Sequence, residues 1–320
     1  MSENSKIEWT DHTFNPWEGC QKVGPGCDHC YAEVRNARFG GGTAINWGPG
    51  APRRRTSPAN WRQPLQWNTT HAEFFAAHGR RQRVFCASLA DVFDNAVDPT
   101  WRHDLFDLIE QTPNLDWLLL TKRIGNVMSM ISETAQYRFD LECLENPSLP
   151  NNVWLGATIV SQEEADRDVP KLLAAPARVR FLSMEPLLGR VRLDAICGQD
   201  WDEDLRVNVL TGYGITSPRQ EKPHQVLEEK IDWVIVGGES GRGARPMHAD
   251  WARSLRDQCA NAGVPFLFKQ WGEWSEPGVS FPDGRPDLSE SDELARFKVG
   301  KKTAGRQLDG RTHDEFPGVE

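Results

Sequence analysis

The chain has no apolar run near the roughly 20 residues that cross a bilayer, and its opening Met-Ser-Glu-Asn-Ser-Lys lacks the apolar stretch of a secretory signal. A soluble, cytoplasmic protein with no membrane partner is expected. Positive charge is also in short supply. The formal net charge of −9 excludes a surface that coats nucleic acid or membrane indiscriminately, though a local basic patch stays possible. A disulfide framework is missing too. The seven cysteines are odd in number; Cys20, Cys27 and Cys30 fall within eleven residues, while Cys86, Cys143, Cys197 and Cys259 are scattered. That distribution suits a metal site plus ordinary buried thiols. No internal repeat is evident.

What is present is enough chain for a large core, 320 residues at 38% apolar, which fits one α/β domain spanning 1–320 with insertions. A short β-rich run ending in polar or glycine residues, then a helix-like stretch, recurs along it. The runs are Val84–Ser88, Trp117–Leu120, Val153–Gly156, Val179–Leu182, Trp233–Val236 and Val264–Phe268, with Thr13–Trp17 as a first strand. Helical patterns lie between, such as Trp101–Gln111 and Asp250–Ala262. Apolar strands alternating with helices predict a parallel sheet covered on both faces. The expected architecture is a full or partial parallel (β/α) barrel of about six or seven strands. Two segments break the rhythm. Residues 199–230 read as a polar insertion, and residues 275–320, rich in Pro, Gly and charge, as an irregular C-terminal extension.

Six residues separate Cys20 from Cys27 and two separate Cys27 from Cys30, in a loop with Gly19, Gly24, Pro25 and Gly26. Glycines let such a loop wrap a metal centre. Three thiolates suit an iron–sulfur cubane with one iron open to an outside ligand. They equally suit structural zinc with His29 or a distant fourth ligand. The strand rhythm favours the cluster, because a loop after the first strand lies on the face where barrels place their chemistry.

Beyond strand ends lie Asp91, Lys122, Arg123, Thr158, Ser183, Glu185, Glu239, Lys269 and Gln270, which a barrel would gather at one mouth. Lys122, Glu185, Glu239 and Lys269 are the candidate catalytic residues; Thr158 and Ser183 are candidates for cofactor contact. The bland alternatives are ion pairs, Glu185 with Lys122 or Glu239 with Lys269. Gly237-Gly238 permits close backbone approach to a ligand, or is simply a turn. Arg53-Arg54-Arg55, Trp61, Arg62, Trp67, Arg80, Arg81 and Arg83 form a basic, tryptophan-rich stretch. It suits a nucleotide or nucleic-acid substrate, or else core tryptophans with solvated arginines.

The chain resembles a family of phage-associated, three-cysteine proteins of uncharacterised function, itself similar to outlying members of the radical S-adenosylmethionine superfamily. The resemblance rests on Ile7–Asp11, Thr13–Trp17, Gly19-Cys20, Gly26–Ala32, Leu120–Arg123, Leu182–Leu188, Gly237–Gly241 and Phe268–Gly272. It implies a 4Fe-4S cluster on Cys20, Cys27 and Cys30, S-adenosylmethionine as cofactor, an electron-donating reductant, and a nucleobase, nucleotide or nucleic-acid substrate. Tyr31 matches the superfamily's adenine-positioning aromatic. The superfamily's amino-group-binding Gly-Gly-Glu follows its second strand, whereas here it arrives as Gly237-Gly238-Glu239 on a later one. Ser88 and Asp91 are therefore the candidates for the ammonium. The superfamily also usually places three residues between its first two cysteines, where this chain has six.

Overall fold

The computed structural model describes residues 5–139, 147–216, 222–275 and 298–318. Cys143 lies outside them, as do residues 217–221 of the insertion and 276–297 of the extension. The main sheet has seven strands: β1 (His12–Thr13), β2 (Gln82–Cys86), β3 (Leu115–Thr121), β4 (Val153–Thr158), β5 (Val179–Met184), β6 (Trp233–Gly237) and β7 (Phe266–Gln270). Their order in the sheet is their order in the chain. The pairs β1/β2, β2/β3, β3/β4 and β6/β7 are parallel. The expected α/β architecture is therefore present, with seven strands. Since β1 and β7 end the order, the sheet is the partial alternative rather than the closed one.

Sequential order demands a crossover after each strand. Five of the six connections carry α1 (Tyr31–Phe39), α2 (Pro99–Gln111), α3 (Val127–Phe139), α4 (Gln162–Ala174) and α5 (Ala249–Ala262), while the described residues between β5 and β6 form short strands instead. Local chemistry sets the ends of these helices. The Asp98 carboxylate caps α2 by accepting from Thr100 N, and Pro99 fills the first turn, where no amide donor is needed. At the far end of α5, Gly263 adopts φ +68°, the left-handed cap that glycine takes without strain. Leu105, Phe106, Leu108 and Ile109 of α2 are buried, as are Ala252, Leu255 and Cys259 of α5.

Contacts divide the chain into two compact units. The first comprises Met1–Gly24, Cys30–Thr158 and Pro170–Phe181; the second comprises Pro25–His29, Ile159–Val169 and Leu182–Glu320. In the first unit, β1 is shorter than the expected Thr13–Trp17. Asn15 turns its side chain to accept from Leu89 N at 2.7 Å, Pro16 offers no amide, and Trp17–Glu18 pairs antiparallel with Arg54–Arg55 instead. Gly156 of β4 lies under the Phe181 ring, where a Cβ would fall 2.3 Å from the nearest ring atom.

Asp11 tethers β1 to the start of β2, accepting from Arg80 Nη1 at 2.6 Å, Arg80 Nη2 at 2.9 Å and Arg83 N at 2.8 Å. Burial pushes this carboxyl up, but those hydrogen bonds and the two arginine charges outweigh it and hold its pKa below the ordinary value. A depressed folded pKa stabilises above the unfolded value of about 4 and is lost as pH falls through the folded value. Asp11→Asn is expected to remove on the order of 1 kcal/mol at pH 7 and almost nothing at pH 2. Urea titrations at the two pH values check this; an equal loss at both would contradict it.

In the second unit the insertion is more ordered than its polarity suggested. Arg206–Asn208, Tyr213–Ile215 and His224–Gln225 form a three-stranded antiparallel sheet, and Val207, Val209 and Leu210 are buried. The described part of the extension packs along β7. Leu267 bridges Asp314, Phe268 N donates to His313 O at 3.1 Å, and Trp271 N donates to Gly305 O at 3.2 Å. An end strand with unpaired backbone groups invites aggregation, and residues 298–318 cover it. No helix among the described residues is long and apolar enough to cross a membrane.

Candidate functional site

In the first unit the cysteine loop begins directly after the short antiparallel pair. Gly19 has φ +112°, and a Cβ there would sit 2.5 Å from Asn46 O, so only glycine fits. Gly19 N donates to Leu89 O at 3.1 Å, and Cys20 O accepts from Gly48 N at 2.9 Å. The Cys20 backbone is thereby held against two other loops. Its Sγ accepts from Arg123 Nη1 at 3.3 Å, and Arg123 Nη2 donates to Gln21 O at 2.9 Å. Burial pushes the Cys20 thiol up to about 11, against the pull of the Arg123 charge. A metal ion would displace that proton on binding.

Asp91 organises the same corner. Oδ1 accepts from Thr121 Oγ1 at 2.8 Å and Phe93 N at 3.0 Å; Oδ2 accepts from Lys122 N at 3.0 Å and Arg123 Nη1 at 3.2 Å. Both oxygens are committed to the protein. Burial opposes the charge on Arg123, but Asp91, Cys20 and Asp94 outweigh it and raise its pKa. Lys122 Nζ reaches Thr158 Oγ1 at 3.4 Å, and Ser88 Oγ accepts from Asn15 Nδ2 at 3.0 Å. Cys30 is the N-cap of α1. Tyr31 follows, 59% exposed, its hydroxyl donating to Ser88 O. Five candidates, Tyr31, Ser88, Asp91, Lys122 and Thr158, thus lie in this unit alongside Cys20 and Cys30.

In the second unit, Cys27 closes the short turn Pro25–Cys27. Glu239 meets Arg245 twice, with Nε to Oε2 at 2.9 Å and Nη2 to Oε1 at 2.6 Å, and His29 Nδ1 lies 3.1 Å from Oε2. Burial pushes the Glu239 carboxyl up, but Arg245 and His29 outweigh it and hold its pKa below the ordinary value. Lys269 pairs with Glu185, not Glu239, at 2.6 Å. Gln270 Nε2 donates to Glu185 Oε1 at 2.8 Å and Ser240 Oγ at 3.1 Å, while its buried Oε1 has no partner among the described residues. Ser183 is buried, and its carbonyl accepts from Ile159 N at 3.2 Å.

The glycine pair serves the protein's own backbone. A Cβ on Gly238 would fall 2.0 Å from Trp271 O, and one on Gly237 would fall 3.3 Å from the Glu185 carboxyl carbon. Sequence reasoning missed Arg245 altogether. A lone arginine six residues past Glu239 carries no signal, since its partner Asp28 is 217 residues away.

The basic stretch is largely internal to the first unit. Arg53 is buried on Asp94 at 2.7 Å, Arg54 pairs with Glu18, and Arg55 lies 4.4 Å over Trp61 and 2.6 Å from Asp104. Arg80 holds Asp11, Arg81 donates to Pro113 O at 3.0 Å, and Arg83 lies 5.5 Å over Trp154. Trp67 is buried, stacked on His12 at 4.2 Å. Such pairing leaves little of a cationic track for phosphates.

Cys20, Cys27, Cys30, Cys86, Cys197 and Cys259 are all free of disulfides. The three loop cysteines are partly exposed, whereas Cys86 and Cys259 are buried. As soft sulfur donors in one short loop they fit an iron–sulfur cluster by type. Among the described residues, however, no three His, Cys, Asp or Glu side chains converge to hold a metal ion. The fit is one of donor chemistry.

Comparison with solved structures finds a spore photoproduct lyase mutant with bound AdoMet and dinucleoside spore photoproduct. It has TM-score 0.34 and 12% identity, covering 57% of this chain and 47% of that one. Comparison with curated proteins finds no match. The model of the family described as Protein of unknown function (DUF5131) matches residues 4–317, nearly the whole chain, which therefore belongs to that family.

Proposed function

We propose that this chain is a radical S-adenosylmethionine enzyme that holds an iron–sulfur cluster on Cys20, Cys27 and Cys30. The observation that carries this reading is three partly exposed, disulfide-free cysteines in one glycine-rich loop, between the first and second strands of a sequentially ordered sheet. A guanidinium already donates to one of their sulfurs. When bound, such a cluster supplies one electron to cleave the C–S bond of S-adenosylmethionine, giving a 5′-deoxyadenosyl radical able to take hydrogen from a substrate.

The chain's own residues bind and orient. Tyr31 is held by its hydroxyl and presents an exposed ring suited to stacking on adenine. Ser88, Thr158 and Ser183 are assigned to cofactor contact on the strength of their strand-end positions. Asp91, with both oxygens engaged, acts by seating Arg123 and the end of β3. In the second unit the Glu185–Lys269 pair, with a Gln270 Oε1 that has no partner among the described residues, offers charge and hydrogen bonds to a substrate; in the first unit Lys122 is the candidate for that role. With Arg53, Arg54, Arg55, Arg80, Arg81 and Arg83 engaged within the protein, a nucleotide-class substrate rests on the resemblance described above.

Anaerobic reconstitution with iron and sulfide tests the reading. The expected product is a coloured protein with about four irons per chain that forms 5′-deoxyadenosine once reduced with S-adenosylmethionine. A colourless, iron-free chain, or one that takes a single zinc, would overturn it. Nucleosides, nucleotides and oligonucleotides then serve as probes for hydrogen abstraction from substrate.

A further inference from the structure

The Pro25–His29 turn has little to order it from within. Asp28 N donates to Pro25 O at 3.2 Å, and Gly24 before the turn and Gly26 within it leave a chain that would otherwise sample many conformations. The turn nevertheless belongs to the compact unit made chiefly of residues 182–320. Arg245 joins it to them. Its Nη1 donates to Asp28 Oδ2 at 2.9 Å and its Nη2 to Pro25 O at 2.9 Å, while Nε and Nη2 grip both oxygens of Glu239. Arg245 N adds a third bond to Oε2 at 2.7 Å, and His29 Nδ1 approaches the same oxygen. Gly243, at φ +83°, admits the imidazole, since a Cβ there would lie 2.9 Å from His29 Nε2.

A planar guanidinium that stays charged at any working pH can meet these acceptors at once; a lysine ammonium has neither the reach nor the fork. Glu239 is only 6% exposed, and both of its oxygens are engaged. Its geometry is that of a residue aligning another residue, not of an acid facing substrate.

We propose that Glu239 and Arg245 are positioning residues that hold the Cys27 turn in place before any metal arrives. The role rests on the cluster reading, because only a ligand loop gains from being ordered in advance. The glutamate of Gly237-Gly238-Glu239 therefore clasps the turn.

The test uses the full metal-free chain with all thiols reduced. Iodoacetamide labelling of Cys27 and amide exchange at 26–29 are followed in Arg245→Gln, Arg245→Lys and the isosteric Glu239→Gln. Arg245→Gln and Glu239→Gln are expected to speed Cys27 labelling about tenfold, leaving Cys20 and buried Cys259 at wild-type rates. Arg245→Lys should recover part of the protection. Combining Arg245→Gln with Glu239→Gln should add little to either, because the two act as one clasp. After reconstitution, iron affinity in Arg245→Gln should fall 10- to 100-fold, as for other residues that orient metal ligands. Unchanged Cys27 labelling in both single variants would overturn the clasp. So would equal acceleration at Cys20 and Cys259, which would mark general unfolding. Failure of the wild-type chain to take up iron would sink the cluster reading, and with it the proposed role, even where labelling reveals the clasp.

Discussion

Replacing Cys27 with alanine is expected to reduce cluster iron to background and to lower 5′-deoxyadenosine formation by at least about 100-fold. Removing residues that merely orient a metal ligand already costs 10- to 100-fold, and losing a ligand outright leaves two thiolates where three are needed. Cys20→Ala and Cys30→Ala should behave alike. Cys86 and Cys259 are the controls. Both are fully buried, and burial pushes the Cys259 thiol up to about 12, an inert thiol packed as a small apolar group. Alanine at either should leave iron content unchanged. Iron and sulfide analysis with visible absorption reads all five variants. A Cys27→Ala chain that still loads a full cluster would remove Cys27 from the ligand set.

Asp91→Ala is expected to destabilise the first unit by about 3–5 kcal/mol, because it strands the Arg123 cation in a corner where that side chain is 7% exposed. The same change takes acceptors from Thr121 Oγ1, Lys122 N and Phe93 N. Asp94, 3.9 Å from Arg123 Nη2, cannot compensate, since it already holds buried Arg53. Pairing Asp91→Leu with Arg123→Met removes the stranded charge and should recover most of the loss, leaving about 1–3 kcal/mol for the unpaired neutral donors. Urea denaturation measures both. If Asp91→Ala fell within 0.5 kcal/mol of wild type, roughly the range of ordinary surface changes, Asp91 would not be the hub of this corner.

Glu185 and Glu239 show where reading by residue type stops. Both were legible as carboxylates just past strand ends, because strand ends are marked locally by where an apolar run stops. Their partners were not. By residue type, Lys269 matches Glu239 and Lys122 matches Glu185, with no role marked for Arg245, yet the fold gives Lys269 to Glu185 and Arg245 to Glu239. Ion pairing depends on distance in space and burial, which residue spacing does not encode. Likewise, Gly237-Gly238 announced a close approach, but only the folded chain shows that the approaching groups are the Glu185 side chain and the Trp271 backbone.

By itself the sequence determined an alternation of about six or seven apolar strands with covering helices, since apolar periodicity is written residue by residue and a parallel sheet needs both faces covered. It also determined the three-thiol loop, because cysteine spacing is local. The tertiary structure decided that the sheet is open, that the insertion folds into its own small sheet, and that residues 298–318 cover β7. It also decided that the Cys27 turn is held from more than 200 residues away. Each of these rests on contacts between segments distant in sequence, formed only once the chain has folded.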